Sequence, residues 1–133
     1  MSVGLDHTIV WSTAPAEAAA FLADMLDLPE PTRFGRFHVV KLGNGVSMDF
    51  AERPGPIARQ HYAFLVDDAV FDRALGLIRE GGLAHWADPM RSRPNEINTL
   101  WGGRGVYFDD PDGHSLEIIT ATYGALEEAG HGQ

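Results

Sequence analysis

Residues 107–120 read YFDDPDGHSLEIIT, and this stretch predicts a β-hairpin. It opens on two aromatic residues of the kind that is enriched in strands. The segment 110–113 has the composition of a tight turn, because Pro111 presets φ, the aspartates bond their own backbone, and Gly113 tolerates a positive φ. The chain then returns over residues 115–120 as a second strand.

Glu117 lies in the middle of this returning strand, within an otherwise apolar run. Because side chains alternate along a strand, Glu117 shares a face with Ser115 and Ile119. Burying an unpaired carboxylate costs several kcal/mol, on the order of 2–7 even for a neutral polar group. The side chain should therefore face solvent, a cation or a metal ion.

In the chain as a whole, the same order of predicted strands and helix occurs twice. Apolar periodicity, turn residues and possible helix caps define the elements. Each copy is predicted as a strand, a helix and three strands, and in the first copy the located elements are strand 5–11, helix 16–28 and strands 33–42 and 46–51. The second copy is predicted as strand 61–66, helix 69–80 and strands 83–86, 104–109 and 115–120.

A constant offset in residue number relates the two copies. His7 and His61 begin matching strands, and the helix ends at Leu28 and Gly82 are separated by the same interval along the chain. Such self-similarity indicates an internal duplication. We therefore predict an α+β fold of two tandem βαβββ modules. They form a single domain of residues 1–133, with module one at about 1–55, module two at about 56–123 and a frayed tail at 124–133.

Three side chains at repeat-related positions form a candidate metal site. His7 and His61 occupy equivalent positions, and Glu117 lies in the last strand of module two. Two imidazoles and one carboxylate make a facial ligand set for a divalent ion, with open positions for water or substrate. Asp49 matches Glu117 in module one, so it either completes a four-ligand site, binds the metal's water or faces solvent.

Composition excludes several classes of function. The chain has no cysteine, so disulfides, thiolate ligands and a Cys nucleophile are ruled out. A net charge of −9 argues against nucleic-acid binding. No apolar run is long enough to span a membrane, and the first residues show no signal peptide. We expect a cytoplasmic protein with a small-molecule partner and with no nucleic-acid or membrane partner.

Three motifs resemble the vicinal oxygen chelate superfamily: LDHTIVW (5–11), HYAFLVDD (61–68) and GGRGVYFDDPDGHSLEIIT (102–120). That superfamily includes glyoxalase I, extradiol dioxygenases, fosfomycin-inactivating thiol transferases and bleomycin-resistance proteins. The resemblance covers about residues 5–122. It implies that the paired modules form a half-open β-sheet cup around one divalent ion (Zn, Ni, Mn or Fe) held by His7, His61 and Glu117. It also implies a homodimer, with the site formed within one chain or across the subunit interface.

The resemblance favours a metalloenzyme whose ion chelates two adjacent oxygens of a small substrate. We favour a glyoxalase-like lyase or isomerase, because Asp49 preserves the four-position symmetry and either Asp49 or Glu117 could shuttle a proton. The alternatives are an extradiol-type dioxygenase, a thiol transferase on the same metal site, or a metal-free antibiotic-binding protein of the bleomycin-resistance kind.

Further candidate residues lie near the closing hairpin. Tyr107 is a candidate catalytic donor of a hydrogen bond or proton, unless it is a core residue. Arg104 is a candidate substrate-binding residue, because a guanidinium binds an anionic group bidentately. Trp101 and Asn98 in the preceding loop complete the candidate substrate-binding set. Three arginines lie in this part of the chain: Arg91, Arg93 and Arg104. They are either solvated side chains on a loop or a basic rim that binds an anionic substrate.

Overall fold

The computed structural model describes residues 2–123, and the predicted frayed tail at 124–133 lies outside this range. The chain divides into two compact units. The first comprises the residues up to Arg59 together with Asp110–Asp112, and the second comprises Gln60–Asp109 and the chain from Gly113 onward. Each unit has one α-helix and one four-stranded mixed sheet, which confirms the α+β class and the two βαβββ modules.

The first unit follows the predicted element order. Its strands lie side by side in the order first, fourth, third, second; the first and fourth are parallel and the other neighbours are antiparallel. In chain order the elements are β1 His7–Ser12, α1 Pro15–Met25, β2 Thr32–Phe34, β3 Phe37–Lys41 and β4 Ser47–Glu52.

The single strand predicted over residues 33–42 is wrong, because the structure divides it into the hairpin β2–β3. Phe34 pairs with Phe37, which leaves Gly35 and Arg36 as a two-residue turn. Gly35 has a φ of +58°, a conformation that glycine adopts without steric cost. The aromatic and β-branched residues on both sides of the turn made the segment resemble one continuous strand.

The two faces of β1 have different environments. Val10 is buried beneath α1 together with Phe50 from β4 and Leu22 from the helix. His7 and Trp11 belong to the alternate face, which is more exposed. The first sheet therefore buries one face against its helix and presents the other.

The second unit repeats this arrangement. The first and last strands of this unit in the sequence lie side by side and are parallel, and the other neighbouring pairs are antiparallel. The elements are β5 His61–Leu65, α2 Asp68–Glu80, β6 His85–Trp86, a short 3₁₀ turn at Leu100–Gly102, β7 Gly105–Asp109 and β8 Ser115–Ile119.

Helix α2 forms as its sequence predicts. The Asp67 side chain accepts a hydrogen bond from the Val70 amide and so caps the first turn. The apolar stripe is buried, with Phe71 and Ile78 fully inaccessible. Among residues 2–123, neither this helix nor α1 is long and apolar enough to cross a membrane.

The hairpin turn between β7 and β8 has the predicted chemistry. Gly113 has a φ of +87°, and the Asp112 amide donates to Asp110 Oδ1 at 2.9 Å. The Asp112 carboxylate also accepts bonds from Ser12 Oγ at 2.5 Å and from Thr13 N and Oγ1 at 2.9 and 2.7 Å. Helix α1 has no side-chain cap from its own N-cap residue, so Asp112 holds the turn that leads into it.

The duplication is interrupted by one insertion. The first residues of β3 and β7 are separated by the same number of residues as those of β4 and β8. This separation is larger than that between the first residues of β1 and β5. The additional residues lie between β6 and β7, because β6 still follows β2 at nearly the shorter interval. The second unit therefore carries a loop, residues 87–104, that has no counterpart of similar length in the first.

Candidate functional site

The second sheet places several predicted site residues on one face. His61 lies opposite Ser115, and Glu117 lies between Ala63 on one neighbouring strand and Tyr107 on the other. Directly opposed residues in a sheet project to the same side, and so do residues two apart along a strand. The side chains of His61, Glu117 and Tyr107 therefore share one face.

Glu117 is buried and both of its carboxylate oxygens have partners. Only 1% of the residue is exposed. Oε1 lies 3.1 Å from His61 Nε2, and Oε2 accepts a short hydrogen bond from the Tyr123 hydroxyl. Of the three environments expected for this carboxylate, solvent is excluded. Its oxygens instead have an imidazole and a phenol as hydrogen-bond partners.

The two tyrosines beside Glu117 form one network. The Tyr107 and Tyr123 hydroxyls are 3.1 Å apart, and the Tyr107 ring stacks on His61 with centroids 6.0 Å apart. Burial raises the pKa of Tyr107, and the hydrogen bond to Tyr123 and the charge of Glu117 raise it further. Burial and the Glu117 carboxylate likewise raise the pKa of Tyr123. Both phenols stay protonated at neutral pH and can donate hydrogen bonds.

The first sheet presents His7 and Asp49 in the same register. His7 lies opposite Ser47 and Asp49 opposite Ile9, as His61 and Glu117 do at the matching positions of the second sheet. Asp49 Oδ1 accepts a bond from Ser47 Oγ at 2.8 Å. The Asp6 carboxylate, 2.8 Å from His7 Nδ1, raises the pKa of His7, and the charge of Asp49 adds to this. The predicted symmetry of the four positions is thus present in the strand pairing.

The adjacent His61 and Glu117 fit the chemistry of a divalent metal ion. An imidazole nitrogen and a carboxylate oxygen are donors that zinc, manganese, nickel and iron accept. Within residues 2–123, however, no group of three or more His, Asp or Glu side chains is arranged to hold an ion. His61 and Glu117 are therefore brought together, and the three-ligand set with His7 stays a prediction.

Arg104 is engaged with the neighbouring helix. Its guanidinium donates to Asp72 Oδ1 at 2.8 Å and to Asp68 Oδ1 at 2.9 Å, and it lies 4.4 Å from the centroid of the Phe71 ring. These carboxylates raise the pKa of Arg104. The other two arginines of the suggested basic rim are also paired: Arg91 with Asp109, and Arg93 with Glu96.

The other two candidate substrate-binding residues differ from each other. Asn98 is buried and its amide donates to the Ala87 carbonyl at 2.8 Å, so it closes the base of the inserted loop. Trp101 has a φ of +59°, unusual for an aromatic residue, and its ring centroid lies 6.2 Å from that of Tyr123. Trp101 therefore borders the Glu117 network, whereas Asn98 does not contribute its amide to it.

Tyr123 was not among the residues that the sequence singled out. It follows the last strand, and its bond to Glu117 depends on how the chain turns back after residue 119. No spacing motif marks such a contact. The only signal was the residue type, because a tyrosine has an apolar body and a polar tip that usually finds a partner.

The paired βαβββ modules carry a half-exposed His61 beside the buried Glu117 on the second sheet, and the chain belongs to the vicinal oxygen chelate superfamily. No family model matches the chain. It is similar to the oxidase ChaP-H1, with 58% identity over 92% of this chain and 99% of that chain and a TM-score of 0.90.

Two further relatives extend the comparison. The oxidase ChaP-H2 is 51% identical over 94% of this chain and 98% of that chain, with a TM-score of 0.91. The metallothiol transferase FosB of Shouchella clausii (strain KSM-K16) is 36% identical over 62 residues, which are 47% of this chain. That match spans only 38% of the transferase's own length. These relatives are enzymes.

Proposed function

We propose that the protein is a metal-dependent oxidase or dioxygenase that uses O₂ to oxidise a small substrate with two adjacent oxygens. The observation that carries the proposal is the 58% identity to the oxidase ChaP-H1 over nearly the whole of both chains. The expected glyoxalase-like lyase is less well supported than this oxygen-dependent alternative. The lyase was favoured because Asp49 preserves the symmetry of the four candidate positions. That symmetry does not depend on the reaction catalysed.

His61 and Glu117 would hold the ion, with His7 as the third ligand that the resemblance implies. The 3.1 Å approach of His61 Nε2 to Glu117 Oε1 supports this role, since a metal ion could take the place of the proton that these two atoms share. A bound divalent ion would supply Lewis acidity towards the two substrate oxygens and, if it is iron, a redox centre for O₂.

The chain's own residues would orient the ligands and handle protons. Tyr123 donates to Glu117 Oε2 and so fixes the carboxylate with Oε1 turned towards His61. The stacked Tyr107 ring limits rotation of His61. Because its pKa is raised, the Tyr107 hydroxyl would act as a hydrogen-bond donor or acid towards a substrate oxygen rather than as a base.

The substrate-binding residues would divide by role. Trp101 would contact substrate, because it borders Tyr123 in a left-handed conformation that a scaffold position does not need. Arg104 and Asn98 would instead anchor the inserted loop, through Asp72 and Ala87 respectively. Asp49 would accept a proton or hold water beside His7.

The test compares three activities on the full chain loaded separately with Fe(II), Mn(II), Zn(II) and Ni(II). An oxygen electrode follows O₂ uptake with catechols and other compounds with adjacent oxygens. Parallel assays follow lactoylglutathione formation and thiol addition to fosfomycin. We expect substrate-dependent O₂ uptake with one metal and neither of the other activities. Lyase or thiol-transferase activity without O₂ uptake would overturn the proposal.

Metal content tests the site independently of the substrate. We expect about one ion per chain by elemental analysis, and its loss in His61→Ala, Glu117→Ala and His7→Ala with the fold retained by circular dichroism. His38→Ala, a strand histidine outside the proposed ligand set, should keep the ion. If all four variants hold as much metal as the wild type, the proposed ligands are wrong.

A further inference from the structure

Two arginines converge on one tryptophan in the first unit. The guanidinium carbon of Arg36 lies 5.5 Å from the centroid of the Trp11 ring and 5.3 Å from that of Phe37. The guanidinium carbon of Arg53 lies 5.6 Å from the Trp11 centroid. All three distances fall within the range of cation–π contacts. We refer to Arg36, Trp11 and Arg53 as the Trp11 cluster.

The Trp11 cluster lies on the sheet face that carries His7. His7 and Trp11 are both on the exposed face of β1, four residues apart. At the rise of a β-strand this separation is about 13 Å. Arg53 directly follows β4, where Ala51 lies opposite Trp11. The cluster and the predicted metal ligand are therefore two ends of one surface within the first unit.

The arginines of the cluster lack acidic partners. Within residues 2–123, neither Arg36 nor Arg53 forms an ion pair. This is unusual in a chain with 19 acidic and 10 basic residues. Both cations lie within 5.6 Å of one ring centroid, and within the described residues no carboxylate forms an ion pair with either of them.

The duplication provides an internal comparison. Arg36 immediately precedes β3, and Arg104 immediately precedes the matching strand β7. Arg104 is neutralised by Asp68 and Asp72 and lies over a phenylalanine ring of the helix. Arg36 occupies the equivalent position but turns to Trp11, and it pairs with no carboxylate of the described residues. Arg104 therefore has a structural role in the second unit, whereas the charge of Arg36 in the first unit can interact with a bound anion.

We propose that the Trp11 cluster is a binding subsite for the acidic group of a planar organic anion, such as an aromatic carboxylate. A guanidinium stacked on a ring keeps its N–H edge available, and that edge matches a carboxylate bidentately. Arg36 is further held at a two-residue turn, which reduces the conformational entropy lost on binding. The local positive charge also offsets the repulsion of an anion by a protein of net charge −9.

The subsite extends the proposed function without depending on its chemistry. It rests on the proposed function only for the statement that the bound anion is the substrate. A substrate that reached both His7 and Trp11 would be elongated, with its acidic group about 13 Å from its two adjacent oxygens.

Calorimetry with two matched probes tests the subsite. The full chain is freed of metal by a chelator and titrated with 2-naphthoate and with the neutral 2-naphthamide, which differ in charge but little in shape. We expect the carboxylate to bind about tenfold more tightly than the amide, and Arg36→Gln and Arg53→Gln each to remove most of that preference. Arg33→Gln, which replaces a nearby exposed arginine whose guanidinium bonds the Gly35 carbonyl, should preserve it.

The site of binding is read from the indole N–H signal of Trp11 in a heteronuclear NMR spectrum, assigned with Trp11→Phe. The naphthoate should shift this signal more than those of Trp86 and Trp101. Equal affinity for the two probes, an equal loss in Arg33→Gln, or an unshifted Trp11 signal would overturn the proposal. Neither measurement requires metal or O₂, so this inference can fail while the oxidase proposal stands, and the reverse.

Discussion

At the scale of single residues, the site depends on how a buried carboxylate is accommodated. Glu117 combines nearly complete burial with two different partners, the His61 imidazole and the Tyr123 phenol. In the proposed metal site, an ion would lie between Oε1 and the imidazole, whereas the phenol would stay bonded to Oε2. The two carboxylate oxygens thus have different environments.

The tyrosine network predicts a shift in phenol ionisation. In Glu117→Gln the negative charge beside Tyr123 is removed, so its pKa should fall towards the ordinary value of about 10. It should not reach that value, because burial is the largest cause of the shift. Absorbance at 295 nm during an alkaline titration measures the effect, and Tyr123→Phe identifies the transition. An unchanged midpoint in Glu117→Gln would mean that the two side chains do not interact in solution.

His7 provides a second prediction, which concerns pH. Since the Asp6 carboxylate raises the pKa of His7, the imidazole stays protonated to higher pH than an isolated histidine with a pKa of about 6.5. Asp6→Asn should therefore lower the His7 midpoint in an NMR titration of the metal-free protein. Because a protonated imidazole cannot bind a metal, the variant should also retain metal to lower pH. A midpoint that rises or stays constant contradicts the assigned cause.

At the scale of elements, the β7–β8 turn supports a helix that is distant in sequence. Asp112 accepts three bonds from Ser12 and Thr13, immediately before α1. A carboxylate near the N-terminus of a helix also interacts favourably with the helix dipole. The turn therefore has a stabilising role beyond reversing the chain.

The loss of the Asp112 hydrogen bonds should be measurable. Asp112→Ala should lower the free energy of unfolding by about 1–2 kcal/mol, because the partners in Ser12 and Thr13 lose hydrogen bonds to a charged group. Urea denaturation followed by circular dichroism measures the change. Glu30→Ala removes the same charge from an exposed residue near the other end of α1 and should change stability by less than about 0.5 kcal/mol. Equal effects would contradict the stabilising role of the Asp112 hydrogen bonds.

Local patterns predicted the elements more completely than they predicted their contacts. Gly113 and Pro111 identified the hairpin, and the offset between the first strands predicted the two modules, although the last two strands of each unit are separated by a longer interval. By contrast, the turn at Gly35 was hidden because strand-forming residues flank it on both sides. The role of Arg104 depends on two carboxylates of α2 that are distant in sequence, a separation that no local pattern encodes. Tyr123 was missed for a different reason, because its contact with Glu117 depends on how the chain turns back after β8.

At the scale of the whole molecule, the half-open cup and the homodimer stay predictions. Large apolar side chains are exposed on strands of both sheets, including Phe34 at 75% and Leu65 at 60%. The predicted homodimer would cover such side chains where they form a contiguous apolar patch. Sedimentation velocity across a dilution series should give twice the chain mass of 14.5 kDa. A single species of 14.5 kDa at every concentration would contradict the predicted dimer.

The inserted loop has an evolutionary consequence. After a duplication, two copies of a module can change independently, and here the additional chain was accommodated between β6 and β7 without altering the pairing of β7 with β8. Trp101 belongs to this insertion, whereas His61 and Glu117 belong to the sheet that both copies share. If Trp101 contacts substrate as proposed, selection for new substrates would act on the loop while the shared strands keep the proposed ligands His61 and Glu117 in register. Homologues that diverge in substrate should differ first in the length and sequence of residues 87–104.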